Sequence, residues 1–124
     1  MIPVDQTIFG MPLGDCHRAC IASILELEIT DVPNFNEAGE DWFMAMTDWL
    51  EGRGLGVIDA PADETTACAL NGYWIASGPA ARGVSHSCVY EGHELVHDPH
   101  PDRTGLLEIE HIEVIYQLDP ARGG

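Results

Sequence analysis

The sequence predicts an α+β fold, with helices first and an antiparallel sheet afterwards. Three observations carry this. Apolar residues recur at helical spacing as far as residue 52. Beyond it the period falls to two, and five short runs alternate between turn residues. No repeat, low-complexity stretch or linker separates the halves, so residues 1–124 are expected to form one domain.

Residues 1–13 are predicted to be irregular, because Pro3, Gly10 and Pro12, with Gly14 just beyond, interrupt any period. Asp15 is placed to cap a helix over 16–28, with Cys20, Ile21, Ile24 and Leu25 as its apolar stripe and Pro33 as its stop. A second helix is expected over 39–52. Trp42, Phe43, Met46, Trp49 and Leu50 fall on one face of it, and the tryptophans are read as core. The strands are expected at 55–60, 72–78, 84–90, 94–98 and 112–118.

Composition excludes several functions. There are 21 acidic residues against five arginines and no lysine, giving a net charge of −16. Such a field repels phosphate and anionic lipid, so neither nucleic acid nor a membrane is an expected partner. No apolar run reaches membrane-spanning length. The first residues lack the basic-then-apolar order of a signal peptide. The four cysteines, Cys16, Cys20, Cys68 and Cys88, are therefore read as free thiols of a cytoplasmic protein.

Cys16 opens the run "CHRACIASILEL" directly after Gly14 and Asp15. A thiol at the first turn of a helix meets unpaired backbone N–H groups and the positive end of the dipole, and both favour the thiolate. A core residue at that position gains nothing from being a thiol. His86 sits inside a predicted strand between Ser85 and Ser87, as a core histidine or as a general base. Asp98 ends the next strand before Pro99, as a turn residue or as the group that orients an imidazole. Gln6 lies ten residues ahead of Cys16, as a surface amide or as an oxyanion donor.

Taken in order, Gln6, Cys16 at a helix start, His86 in a strand and Asp98 at the next strand end resemble a papain-like cysteine peptidase. The compactness is similar to that of the bacterial branch that trims leader peptides from bacteriocin precursors. The resemblance implies a thiol hydrolase of peptide or protein substrates. Cys16 would be the nucleophile, His86 the general acid/base, Asp98 its orienting group, and Gln6 an oxyanion donor beside the backbone N–H of Cys16. A thiolate–imidazolium pair between Cys16 and His86 is expected, reactive well below pH 8. No metal or organic cofactor is implied. The sequence departs from the pattern directly after the cysteine, where the family commonly has a small residue and this chain has His17 and then Arg18.

The same three-residue chemistry also serves deamidases and acyltransferases. A reading of a different class is a non-enzymatic acidic binding protein or inhibitor, such as a phage-encoded DNA mimic on a peptidase scaffold. A mimic needs carboxylates in two rows, whereas these scatter through helices, turns and strands. His93, His97 and His100, with Asp98 and Asp102, match no standard metal-ligand spacing. His17 and His111 are read as surface residues. Substrate and oligomeric state are left open.

Strand parity makes one geometric expectation. A two-residue turn at Gly92-His93 would set Glu91 against Glu94 and put Asp98 on the face away from His86. A three-residue loop, Glu91-Gly92-His93, would instead pair Tyr90 with Glu94 and His86 with Asp98. The three-residue loop is the expected register, with Cys16 approaching the same face of His86.

Overall fold

The structure, a computed structural model, describes residues 1–10, 13–61 and 72–118. Cys68 therefore lies outside the described residues. Helix α1 spans Cys16–Leu25. It ends before 28 because Glu26 turns left-handed (φ 58°), returning its own N–H to Ser23 and that of Leu27 to Ala22. Pro33 has no part in stopping it. Two 3₁₀ turns over Phe35–Asp41 precede α2, Trp42–Glu51. Gly39 separates them at φ 60°, a conformation no helix interior accepts, so α2 starts three residues later than the expected 39.

The five strands are β1 (Leu55–Pro61), β2 (Tyr73–Pro79), β3 (Ser85–Glu91), β4 (Glu94–His97) and β5 (His111–Gln117). Each falls within one residue of its expected bounds. They form one antiparallel sheet in the order β1-β5-β2-β3-β4. Both helices pack on one face, where Ile21, Met46, Leu50, Ile75 and Val89 are fully buried. Each such side chain stabilises by about 1.5–3 kcal/mol. The other face carries Trp74, Ala76 and Ile112 under Leu106 and Ile109. Among the described residues, no helix is long and apolar enough to cross a membrane.

The expected β3–β4 register is not the one observed. Glu91 pairs with Glu94 and Tyr90 with Leu95, so the turn is the tight two-residue one at Gly92-His93. Gly92 takes φ 57°, as such turns require. The ladder then slips, and the next pair is Val89 with His97. Val96 is the extra residue of a β-bulge. A bulge of one residue reverses the parity that the short turn had set, and returns Asp98 to the side-chain set of His86.

The N-terminal segment is stitched across this frame. Ile2 and Val4 donate backbone N–H groups to the carbonyl and hydroxyl of Ser23 on α1. Gln6 N–H donates to the Pro99 carbonyl, and His97 Nε2 to the Val4 carbonyl.

Candidate active site

Asp15 sits at the start of α1 but does not cap it. Its carboxylate, fully buried, reaches backward instead. It accepts from the N–H groups of Thr7 and Ile8 at 2.7 and 2.8 Å and from the Thr7 hydroxyl at 2.6 Å. Arg18 stands 3.4 Å from its other oxygen and donates to the Val32 carbonyl. The residue before Cys16 thus fixes the segment that carries Gln6.

β3 and the bulged β4 bring His86 and Asp98 together. His86 Nε2 donates to Asp98 Oδ1 at 2.6 Å, with both side chains at most 2 % exposed. Asp98 also accepts from the N–H groups of His100 at 2.9 Å and Gly105 at 2.7 Å. Burial alone would raise its pKa; the His86 ring and these two donors outweigh burial and hold it below the ordinary value. Among the described residues no hydrogen bond is made by the second ring nitrogen of His86, Nδ1, and the His86 side chain lines a cleft.

That cleft, of about 540 Å³, also receives Cys16 and Gln6. The thiol meets Ser87 rather than His86: burial raises its pKa, while the N–H groups of Ser87 and His17 and the Ser87 hydroxyl pull the other way. The net shift is upward, which corrects the expected low-pKa thiolate; desolvation, with the Asp15 charge beside it, exceeds what the helix start supplies. Ser87 shares its strand face with Val89, under the helices, and His86 shares the other with Cys88. The thiol and the imidazole therefore reach the cleft from opposite sides of β3, beyond Val89, the last residue that β4 pairs. Among the described residues no hydrogen bond joins them.

Gln6 is 8 % exposed, not a surface amide. Its Nε2 donates to the Ile8 carbonyl at 3.0 Å, which fixes the amide orientation because a carbonyl only accepts. Oε1 is buried with no hydrogen-bond partner among the described residues. One amide proton is thus committed to Ile8, and a single one remains for an oxyanion.

The chain gives no match to protein-family models, curated proteins or solved structures.

His17 is not a surface residue. Its Nε2 donates to Glu113 Oε2 at 2.8 Å, with the side chains 15 % and 5 % exposed. Burial lowers the imidazole pKa, but the Glu113 carboxylate raises it further, and His17 in turn holds Glu113 low. Trp42, read as core, packs edge-on to the His17 ring and lines the cleft beside it. The exposed His111 lines the cleft too. Nothing in the spacing of residues 17 and 113 announces their pairing, since it arises only when β5 enters the middle of the sheet.

Cys20 and Cys88 are free and buried, and burial raises both thiols far above their ordinary range. His86, Cys88 and Asp98 offer three metal-ligand atoms within 4.8 Å of one another. Two ligands on a tetrahedral zinc with bonds of about 2.0–2.1 Å stand about 3.3 Å apart. The 2.6 Å between His86 and Asp98 is the length of a charge-assisted hydrogen bond. In this arrangement His86 and Asp98 share a proton.

Proposed function

We propose that this protein is a thiol hydrolase of the papain-like class, acting on amide bonds of peptide or protein substrates. The observation that supports it most is the buried 2.6 Å hydrogen bond from His86 Nε2 to Asp98, at a cleft that both His86 and Cys16 line. A histidine held at one nitrogen by a carboxylate has a fixed tautomer and a free basic edge.

The raised Cys16 pKa favours a neutral thiol at rest. His86 Nδ1 takes the thiol proton as sulfur attacks the carbonyl, and Asp98 stabilises the imidazolium that forms. The backbone N–H of Cys16 and the remaining proton of Gln6 Nε2 face the developing oxyanion. His86 returns the proton to the leaving amine, and water activated by the same ring hydrolyses the acyl-enzyme.

The test is labelling of the native chain with a peptidyl epoxide, followed by peptide mapping. Cys16 is expected to be modified while Cys20 and Cys88 are not, and His86→Ala is expected to abolish the modification, because ring opening needs an acid. Equal labelling of Cys16 in the His86→Ala variant, or none in the wild type, sinks the reading.

A further inference from the structure

Arg103 is one of two non-glycine residues with positive φ among the described residues, at 55°. Such a backbone is strained for a long side chain and points to a reason for holding it there. The reason lies at the tip of the side chain. Nη1 and Nη2 grip the two oxygens of Asp5 at 2.6 and 2.8 Å, and Nη1 also donates to the backbone carbonyl of Asp98. Asp5 immediately precedes Gln6. One guanidinium thus joins the residue before the amide of the cleft to the carboxylate residue behind His86. The next link, Gln6 N–H to the Pro99 carbonyl at 3.1 Å, runs between the same two segments.

We propose that Arg103 is a positioning residue, which locks the Gln6 segment to the Asp98 loop and so sets the contact between Asp98 and His86. Stability is a poor explanation for the clamp. Arg103 and Asp5 are 47 % and 46 % exposed, and exposed pairs contribute little in water. Geometry is a good one, because a planar fork holds a carboxylate and a carbonyl in one plane where an ammonium would not. Only the labelling arm of the test rests on the hydrolase reading above; the structural arm stands without it.

The experiment compares the full chain with Arg103→Gly, Arg103→Lys and Asp5→Asn. Three quantities are read: the NMR signal of the His86 ring N–H that faces Asp98, the epoxide labelling rate at Cys16, and the urea midpoint. Arg103→Gly removes the clamp and the backbone strain together. Its midpoint is expected to stay close to the wild type while the ring proton exchanges into water and labelling slows by about tenfold or more. Arg103→Lys is expected to restore neither signal. Unchanged ring-proton and labelling signals in both Arg103 variants overturn the proposal. Should Arg103→Gly fail to fold, Asp5→Asn decides, since it opens the fork without touching residue 103: a protected ring proton overturns the proposal, and a lost one supports it. Absence of labelling in the wild type counts against the hydrolase reading alone.

Discussion

Nε2 of His86 donates to Asp98 Oδ1 at 2.6 Å across a ladder that has gained one residue, Val96, on the Asp98 strand. The carboxylate is an acceptor three times over, from the ring and from the N–H groups of His100 and Gly105. Asp98→Ala leaves all three donors unpaired, the His86 ring and the Gly105 N–H in buried surroundings, at a cost of roughly 3 kcal/mol or more in urea unfolding. The Asp98 pKa is depressed in the fold. Its contribution to stability is therefore present above the unfolded value, about 3.9, and is lost as pH falls through the lower folded value. Asp98→Asn is expected to start less stable at pH 6 and to lose less than the wild type on acidification toward pH 2.

His17 carries the opposite sign. Its folded pKa is raised by Glu113, so its stabilisation is complete below about pH 6.5 and disappears as pH climbs through the folded value. Glu113→Gln is expected to lower the His17 titration midpoint in NMR. It should also flatten the loss of stability that the wild type shows above pH 6.5. A His17 midpoint that does not move would contradict the pairing.

Asp15→Ala is expected to be among the most damaging single changes near the cleft. It removes a fully buried carboxylate that accepts from two backbone N–H groups and one hydroxyl of the exposed residues Thr7 and Ile8. A loss of roughly 3 kcal/mol or more follows from charge-assisted hydrogen bonds of this kind. Because the bonds hold residues 7 and 8, protease cleavage ahead of α1 should accelerate in the same variant. A variant as stable and as resistant as the wild type would remove the anchoring role of Asp15.

Gly78→Ala tests the docking of residues 107–110 along β2. A Cβ there would stand 2.1 Å from the Glu108 carbonyl oxygen, in a segment tied to β2 by Leu107 N–H to Pro79 and Glu110 N–H to Ser77, both at 2.8 Å. The backbone must part, and overpacking of this kind costs about 1–3 kcal/mol. A thermal midpoint equal to the wild type would mean that the segment yields freely.

Local pattern made most of the frame readable. The strands are bounded by turn residues, and α2 repeats its apolar positions cleanly, so each element could be placed from its own residues. The helix ends were less legible. Glu26 stops α1 in a left-handed conformation that a glutamate does not advertise, and Gly39 sets the start of α2 by a dihedral rather than by its pattern. At the cleft, His86 and Asp98 meet as expected but by another route, since a bulge at Val96 follows from no residue type in "EGHELVHD". The partnerships of His17 and Arg103 were invisible because each depends on a segment remote in sequence, and that of Asp15 because it depends on how the irregular residues 7 and 8 fold back over the helix start. The orphaned oxygen of Gln6 depends on which carbonyl its amide finds, and that is a property of the folded loop.

Bonds at and behind the cleft join the two ends of the chain. His17 and Glu113 are 96 residues apart, Asp5 and Arg103 98, and Val4 and His97 93. The β2–β3 hairpin beneath them needs only neighbours. Loop closure delays contacts of long sequence separation, so the hairpin and α1 can assemble while Cys16, Gln6 and Asp98 are still apart. These links carry a larger loop-closure cost than the hairpin does. In denaturant the segment that carries Gln6 is therefore expected to loosen ahead of the β2–β3 hairpin, as hydrogen exchange at residues 4–6 would report.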